Sequence, residues 1–155
     1  MYSNELICNI LNYINKNIRN DITITELSNK YFYNKTYIMK KFKKELGITI
    51  KEYTNIKKIL NSLSLYNTKE NILHIALLSG FNSIEYYSET FSKLLGVSPR
   101  IYKKYITPLN TLEESKIEII KSRISELMKI DDRIQTYLSN QKPQKYPVKK
   151  LSIFN

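Results

Sequence analysis

The 155-residue sequence is poor in the residue types that build disulfide or zinc scaffolds. Its one cysteine, Cys8, cannot form a disulfide within the chain, and Cys8 with the one histidine, His74, cannot complete a zinc site built by the protein. No apolar run approaches the roughly 20 residues needed to cross a bilayer, and the first residues lack the pattern of a signal peptide. We therefore expect neither a metal site nor a membrane protein.

Glycine and proline are also scarce, with three and four copies, and no alternation of apolar and polar residues typical of strands persists. These absences predict a fold that is almost entirely α-helical. Charge, by contrast, is abundant and unbalanced, because 25 Lys and Arg oppose 14 Asp and Glu to give a net charge of +11. Such an excess favours polyanionic partners, with nucleic acid ahead of anionic membranes.

Capping signals divide the chain into short helices. Thr23 with Glu26 and Thr49 with Glu52 have the spacing of capping boxes, in which each side chain bonds the other's backbone amide. Asn34 is a favourable N-cap residue for a third helix. The helices expected from these signals and from apolar spacing cover about residues 4–18, 24–30, 35–46, 49–66, 72–79 and 84–95, with a last short helix that begins at Ser98 and Pro99.

An internal repeat organises these helices. The spacing F-x4-G-x5-Y occurs twice, displaced by 49 residues, and Leu46 and Leu95 match at the same offset. The repeated residues are Phe42, Gly47 and Tyr53 in the first copy and Phe91, Gly96 and Tyr102 in the second. We infer two tandem helix-turn-helix units, joined by the long helix at about residues 49–66.

The second helix of unit one has two distinct faces. Ile38, Phe42 and Leu46 are spaced by four residues and predict a buried stripe. Another face suits the base edges of a DNA major groove, where lysine pairs with guanine and apolar groups contact thymine methyls. The predicted base-contacting residues are Thr36, Met39, Lys40 and Lys43, and the predicted phosphate contacts are Lys35, Lys41 and Lys44. The alternative is a basic face that is merely solvated.

The matching helix of unit two carries carboxylates instead of lysines. Its exposed face holds Glu85, Ser88 and Glu89, and a carboxylate repels phosphates although it can accept from cytosine N4. Residues 1–66 hold 11 basic and 5 acidic side chains, a net +6, whereas residues 67–105 hold 5 and 3, a net +2. We expect unit two to recognise cytosine, to dock weakly or to contact the transcription machinery. Its cationic edge for phosphates is formed by Arg100, Lys103 and Lys104.

The segment from Ile75 to Tyr102 strongly resembles the signature of the AraC/XylS family of transcription regulators. The upstream segment from Glu26 to Tyr53 is similar to the first unit of that family, so the resemblance covers about residues 5–105. The residues that carry the signature are Ile75, Ala76, Gly80, Phe81, Ser83, Tyr86, Ser88, Phe91, Gly96, Ser98, Pro99 and Tyr102.

The resemblance implies seven helices in two lobes that bind one face of duplex DNA, with recognition helices in successive major grooves. Glu89 stands where the family usually has arginine, which argues against strong guanine recognition by unit two. Ser28 replaces the alanine usual at a tight helix contact, and we expect its hydroxyl to bond its own helix. By position, the resemblance implies base contacts from Thr36, Met39 and Lys40 in unit one and from Ile84, Glu85, Ser88 and Glu89 in unit two.

We therefore expect a sequence-specific regulator of transcription, an activator, that binds double-stranded DNA in the bacterial cytoplasm, on the nucleoid, with RNA polymerase as a further partner. The alternative is a degenerate family member that binds polymerase or another regulator and has little affinity for DNA. The sequence contains no nucleophile–base pair and no glycine-rich phosphate loop, so we predict neither an enzyme nor a cofactor.

The predicted DNA-binding domain covers residues 1–105, with unit one at about 4–48, the linker helix at about 49–66 and unit two at about 67–105. Residues 106–155 form an appendage. Thr111 and Glu114 are typical of a third capping box, which opens a helix that reaches about Leu138.

Apolar residues of this last helix fall near a heptad seam, which Asp131 interrupts. The seam predicts a homodimer through residues 112–138, or a helix packed on its own domain, or the start of a truncated effector domain. The tail from Gln141 is expected to be flexible, with the basic residues Lys142, Lys145, Lys149 and Lys150. The seam consists of Ile117, Ile120, Ile124, Leu127, Ile134 and Leu138.

Overall fold

The computed structural model describes residues 2–107 and 112–141, and every regular element in these ranges is helical. The helices are α1 (Tyr2–Lys16), α2 (Ile24–Tyr31), α3 (Lys35–Leu46), α4 (Ile50–Leu63), α5 (Ile72–Leu78), α6 (Ile84–Leu95), α7 (Pro99–Ile106) and α8 (Glu114–Gln141). A 3₁₀ turn at Ser64–Asn67 occupies the end of the expected linker helix. The all-α prediction is confirmed.

The capping signals are mostly reproduced, with one correction. Thr49 and Glu52 form the reciprocal capping box at the start of α4, and the backbone amide of Thr49 lowers the pKa of the Glu52 carboxyl. At α2 only half of the predicted box forms: Thr23 Oγ1 accepts from the Glu26 amide at 3.1 Å, but the Glu26 carboxylate accepts from the Tyr13 hydroxyl instead. The predicted box at Thr111 lies outside the described residues.

Each helix-turn-helix unit has its own hydrophobic core, and the linker helix contributes to both. Phe42 lies in the core of the first unit and Phe91 in the core of the second. From α4, Tyr53 packs into the first core, whereas Ile56 and Ile59 pack into the second. The linker helix α4 is therefore packed into the hydrophobic cores of both units and does not merely connect them.

Helix α8 packs on the two units instead of standing apart. Of the predicted seam, Ile134 and Leu138 are buried in the first core, and Ile120 and Leu127 in the second. Asp131, which interrupts the heptad pattern, places its Oδ2 at 3.2 Å from Lys57 Nζ of α4. The arrangement is that of an amphipathic helix docked on its own domain. The basic tail predicted beyond Gln141 lies outside the described residues.

Candidate nucleic-acid interface

The N-cap and the buried stripe of α3 fix which of its faces meets solvent. Asn34 Oδ1 accepts from the backbone amides of Thr36 and Tyr37 at 2.8 and 3.3 Å, which anchors the first turn. Ile38 and Phe42 are fully buried in the first core. Because these residues recur on one side of the helix, the other side is held away from the core.

All four base-contacting candidates of unit one lie on that outer side. Thr36, Met39, Lys40 and Lys43 are each exposed. Lys43 Nζ lies 4.0 Å from Glu52 Oε1, but both side chains are more than half exposed, so solvent screens this pair strongly. One helix face therefore combines a methyl group, a thioether and two ammonium groups that a groove can reach.

The three lysines predicted to contact phosphates differ in their surroundings. Lys35 and Lys44 are exposed. Lys41 is half-buried, and its Nζ lies 3.6 Å from Glu45 Oε2 on the same helix. The same Glu45 carboxylate accepts from the hydroxyl of Tyr137 on α8. Lys41 therefore lies on the side of α3 that faces α8, and it is the weaker phosphate candidate.

Helix α6 repeats this construction with a different outer face. The Ser83 hydroxyl caps its first turn, and the buried stripe holds it in the second core. Glu85 and Glu89 are exposed, whereas Ile84 and Ser88 are half-buried. Within residues 2–107 and 112–141, neither carboxylate forms an ion pair. The cationic edge of unit two is exposed along α7 at Arg100, Lys103 and Lys104.

A cleft of about 410 Å³ separates the two candidate recognition helices. Its lining includes Met39 of α3 and Tyr86 of α6, with Lys51 and Asn55 of α4 and Asp21 from the segment between α1 and α2. Asn55 Nδ2 donates to the Tyr86 hydroxyl at 3.0 Å, and Lys51 Nζ lies 5.8 Å from the centre of the Tyr86 ring. One residue of each candidate recognition helix therefore reaches a cleft that is also lined by basic, amide and acidic side chains.

The deeper lysine of this cleft has a structural role. Lys58 is 8% exposed, and its Nζ donates to the Gly80 carbonyl at 2.9 Å. Burial lowers the pKa of its ammonium group. Lys58 thus ties α4 to the turn of unit two, while Lys51, two helical turns earlier on α4, remains exposed for a ligand.

Lys51, Asn55 and Tyr86 are not among the site residues predicted from the sequence. Lys51 and Asn55 are four residues apart and therefore share a face of α4, which is a signal that could have been used. The sequence does not show that Tyr86 of α6 lies beside these two residues, because this contact depends on how the two units pack around α4.

A second groove, of about 460 Å³, lies between α4, α6 and α8. Glu89 and Lys93 of α6 line it together with Lys51 and Glu52 of α4. Glu89 therefore has both basic and acidic side chains near it in this second groove and does not lie in a uniformly acidic patch.

The turn of unit one also differs from expectation. The Ser28 hydroxyl donates to the backbone carbonyl of Tyr33 at 2.6 Å, not to its own helix. Tyr33 and Tyr37 stack with their ring centres 5.4 Å apart. Ser28 thus fastens the turn that leads into α3, which explains why a hydroxyl is tolerated at this helix contact.

Two other classes of site find no support in residues 2–107 and 112–141. No group of three His, Cys, Asp or Glu side chains there is arranged to hold a metal ion. None of the helices there combines the length and apolar character needed to pass through a bilayer. The exposed faces of α3 and α6 and the cleft between them are therefore the principal candidate site.

Comparison with known proteins gives a consistent picture. A family model described as a helix-turn-helix domain matches residues 27–105. The transcriptional regulatory protein HptR of Staphylococcus aureus is 31% identical over 103 residues, which are 66% of this chain and 41% of that protein. The HTH-type transcriptional activator AarP of Providencia stuartii is 27% identical over 112 residues, 72% of this chain and 83% of that protein.

A solved structure agrees in fold. The C-terminal domain of AraT, a response regulator from Geobacillus stearothermophilus, matches with a TM-score of 0.63 at 23% identity, over 70% of this chain and 92% of that domain. The chain spans about two fifths of the length of relatives such as HptR. Helix α8 begins after the segment that the family model matches.

Proposed function

The chain belongs to the AraC-type helix-turn-helix family of DNA-binding transcription regulators, and on this basis we propose that α3 and α6 enter successive major grooves of a specific DNA site to activate transcription. The observation that carries the proposal is the outer face of α3, where Thr36, Met39, Lys40 and Lys43 are exposed together opposite a fully buried stripe. In this proposal residues 1–105 form the DNA-binding domain, which works on the nucleoid in the bacterial cytoplasm.

Unit one supplies most of the direct base contacts. The Lys40 ammonium group donates to guanine O6 and N7, and the side chains of Thr36 and Met39 contact thymine methyl groups. Lys35 and Lys44, at the two ends of α3, donate to phosphates and so fix the register of the helix on the duplex.

The cleft between the units receives the DNA backbone that runs between the two grooves. Recognition helices in successive grooves are one helical turn apart, about 34 Å, so a phosphate strand has to pass between them. Lys51 and Asn55 offer an ammonium and an amide donor at that point. Both contacts are independent of sequence and add affinity rather than specificity.

Unit two makes the weaker contacts. Glu85 and Glu89 accept from cytosine N4 where the site presents it, with Ile84 and Ser88 beside them at the start of α6. The cationic edge at Arg100, Lys103 and Lys104 keeps this unit against the backbone. The two units therefore contribute unequally to one bound state.

A substitution pair on α3 tests whether its outer face contacts bases. Lys40→Ala should cost about 1–3 kcal/mol at the base pair it contacts and relax specificity there. Lys41→Ala removes the same charge from the same helix but from a side chain paired with Glu45, and it should leave the sequence preference unchanged. The measurement is binding at physiological salt to a duplex selected from a random library and to all its single-base-pair variants. Equal weakening of Lys40→Ala on every duplex would contradict base recognition.

The exposed Glu85 and Glu89, without ion-pair partners among the described residues, favour one second candidate: a family member that binds RNA polymerase or another regulator and has little DNA affinity. Gel shifts on genomic fragments at physiological salt separate the two, since this candidate predicts no shifted fragment.

We propose a homodimer through residues 112–138 only if its contacts are not those of the predicted heptad seam. Because Ile120, Leu127, Ile134 and Leu138 of the seam are buried within the chain, a dimer has to use other residues of α8, such as the exposed Met128. Sedimentation of the purified chain over a range of concentrations decides whether such a dimer forms.

A further inference from the structure

Helix α8 reaches the carboxyl ends of both candidate recognition helices. It has 28 residues, which correspond to about 42 Å of helix. Its C-terminal half packs in the core of unit one and its N-terminal half in the core of unit two. It therefore lies along both units, with its direction reversed relative to their order in the chain.

At unit one, α8 binds the end of α3. The Arg133 Nη1 donates to the Leu46 carbonyl at 2.7 Å, which is one of the free carbonyls at the last turn of that helix. A Cβ placed on the C-cap residue Gly47 would lie 3.9 Å from Arg133 Nη2, an ordinary contact distance. A cation at this position also interacts favourably with the dipole of α3.

At unit two, α8 binds the end of α6 in the same way. The Arg123 Nη1 lies 3.3 and 3.4 Å from the carbonyls of Lys93 and Leu94. A Cβ on the C-cap residue Gly96 would lie only 2.7 Å from Ile119 Cγ2, so α8 packs directly against this glycine. The two arginines are ten residues apart on one helix, about 15 Å along its axis.

Close to the Arg133 anchor, α8 is also tied to the linker helix and to α1. Lys57 Nζ and Asp131 Oδ2 lie 3.2 Å apart, with both side chains about one-fifth exposed. Gln135 Nε2 donates to the Tyr53 hydroxyl at 2.8 Å, and Asn15 of α1 donates to Gln135 Oε1 at 3.2 Å. The C-terminal half of α8 is thus fixed to α4 and α1 as well as to the end of α3.

We propose that α8 is a splint that sets the separation of α3 and α6, with Arg123 and Arg133 as positioning residues that restrict which half-site spacing in DNA is bound. The inference rests on the function proposed above. Without α8 the two lobes meet at α4 and where the Gly80 turn packs on Arg19, and small shifts at these contacts can change their relative orientation. A single rigid helix bonded to the ends of both α3 and α6 resists such shifts, so DNA with a changed spacing has to be deformed to fit.

The test compares two variants of the full chain that lose the same charge from α8. Arg123→Ala/Arg133→Ala removes the bonds to α3 and α6, whereas Lys121→Ala/Lys129→Ala removes two exposed lysines with no bond to either helix. Wild type and both variants select in parallel from one randomised duplex library, and sequencing gives the spacing between the two enriched half-sites. Thermal melting of all three confirms that each is folded.

We expect the wild type and the lysine variant to enrich one spacing sharply. In the arginine variant, duplexes one base pair longer or shorter should rise about threefold to tenfold in share, the range for losing hydrogen bonds of ordinary strength. A general loss of stability lowers binding to every spacing equally and leaves this distribution unmoved.

The outcomes separate the two proposals. An unchanged spacing distribution in the arginine variant, or an equal broadening in the lysine variant, overturns the splint while leaving DNA recognition intact. A wild type that enriches no sequence at all overturns the proposed function and the splint with it.

Discussion

The two helix-turn-helix units have matching buried residues but different exposed residues. Phe42 packs on Tyr53 with ring centres 6.2 Å apart, and Phe91 packs on Tyr102 at 5.6 Å, as the repeat requires. The outer face of α3 carries lysines, whereas that of α6 carries carboxylates. Packing constrains the repeated residues to a narrow set, while a solvated face can change its charge without loss of fold.

The scaffold helices of the two units differ as well. When Leu27 is aligned with Ile75, polar residues on the outside of α2 stand opposite exposed leucines on α5. Leu73, Leu77 and Leu78 are each about half exposed. Unit one therefore exposes lysines on α3 and polar residues on α2, with Phe32 and Met39 exposed beside them, while unit two combines exposed leucines with carboxylates. This difference suits unequal roles on DNA.

The largest predicted effect tests this inequality directly. Reversing Lys35, Lys40 and Lys43 to glutamate should weaken DNA binding by roughly a hundredfold or more, because three phosphate-attracting charges become repulsive. Reversing Arg100, Lys103 and Lys104 changes the charge by the same amount, and it should weaken binding much less. Titration at several salt concentrations measures both, with a smaller salt dependence expected for the first variant.

A stronger loss from the unit two reversal would contradict the ranking and make unit two the dominant one. Circular dichroism serves as the control for folding, since Lys103 and Lys104 lie in the last turn of α7, where cations favour the helix dipole.

The local features of both units could be predicted from the sequence. Asn34 and Gly47 bound α3, and Ser83 and Gly96 bound α6, because capping depends on residues within one turn of the helix end. The exposure of Thr36, Met39, Lys40 and Lys43 followed from helical spacing for the same reason.

The predictions that were wrong, and the site residues that were missed, depend on contacts between residues that are distant in the chain. The Glu26 carboxylate accepts a hydrogen bond from Tyr13 of α1, which is 13 residues away in the chain. The apolar seam of α8 is buried against the two units, and helical periodicity alone does not show which surface covers it. An apolar stripe specifies that a face is covered, but a second copy and the same chain cover it equally well. The cleft at Lys51 and Asn55 likewise exists only once both units pack on α4.

The turns of the two units provide the next prediction. Gly80 has φ +97°, and a Cβ there would lie 2.9 Å from the backbone of Arg19, so no side chain fits. Phe32, the C-cap residue of α2 in unit one, also has a left-handed backbone with φ 60°, and its side chain is 91% exposed. Gly80→Ala should destabilise the fold by roughly 3 kcal/mol, since strain and overpacking add.

Phe32→Gly should instead raise the free energy of unfolding. It relieves a left-handed backbone that costs a residue with a side chain about 1–2 kcal/mol, and little packing is lost. Greater freedom of the unfolded chain offsets part of that gain, so a net stabilisation of up to about 1 kcal/mol is expected. Urea denaturation of both variants gives the two free energies of unfolding, and destabilisation by Phe32→Gly would show that the exposed ring packs in solution.

The smallest effect concerns the carboxylates of α6. If they face phosphates without contacting a base, Glu85→Gln and Glu89→Gln should each raise affinity for every duplex about twofold, because a like charge is removed. Glu126→Gln, an exposed carboxylate on α8, is the matched control and should change nothing. If Glu89 instead accepts from cytosine N4, its replacement lowers affinity only for sites with that base pair. From the base contact proposed for Glu89 we expect the selective loss at this residue, and a uniform gain on every duplex would show that its carboxylate contacts no base.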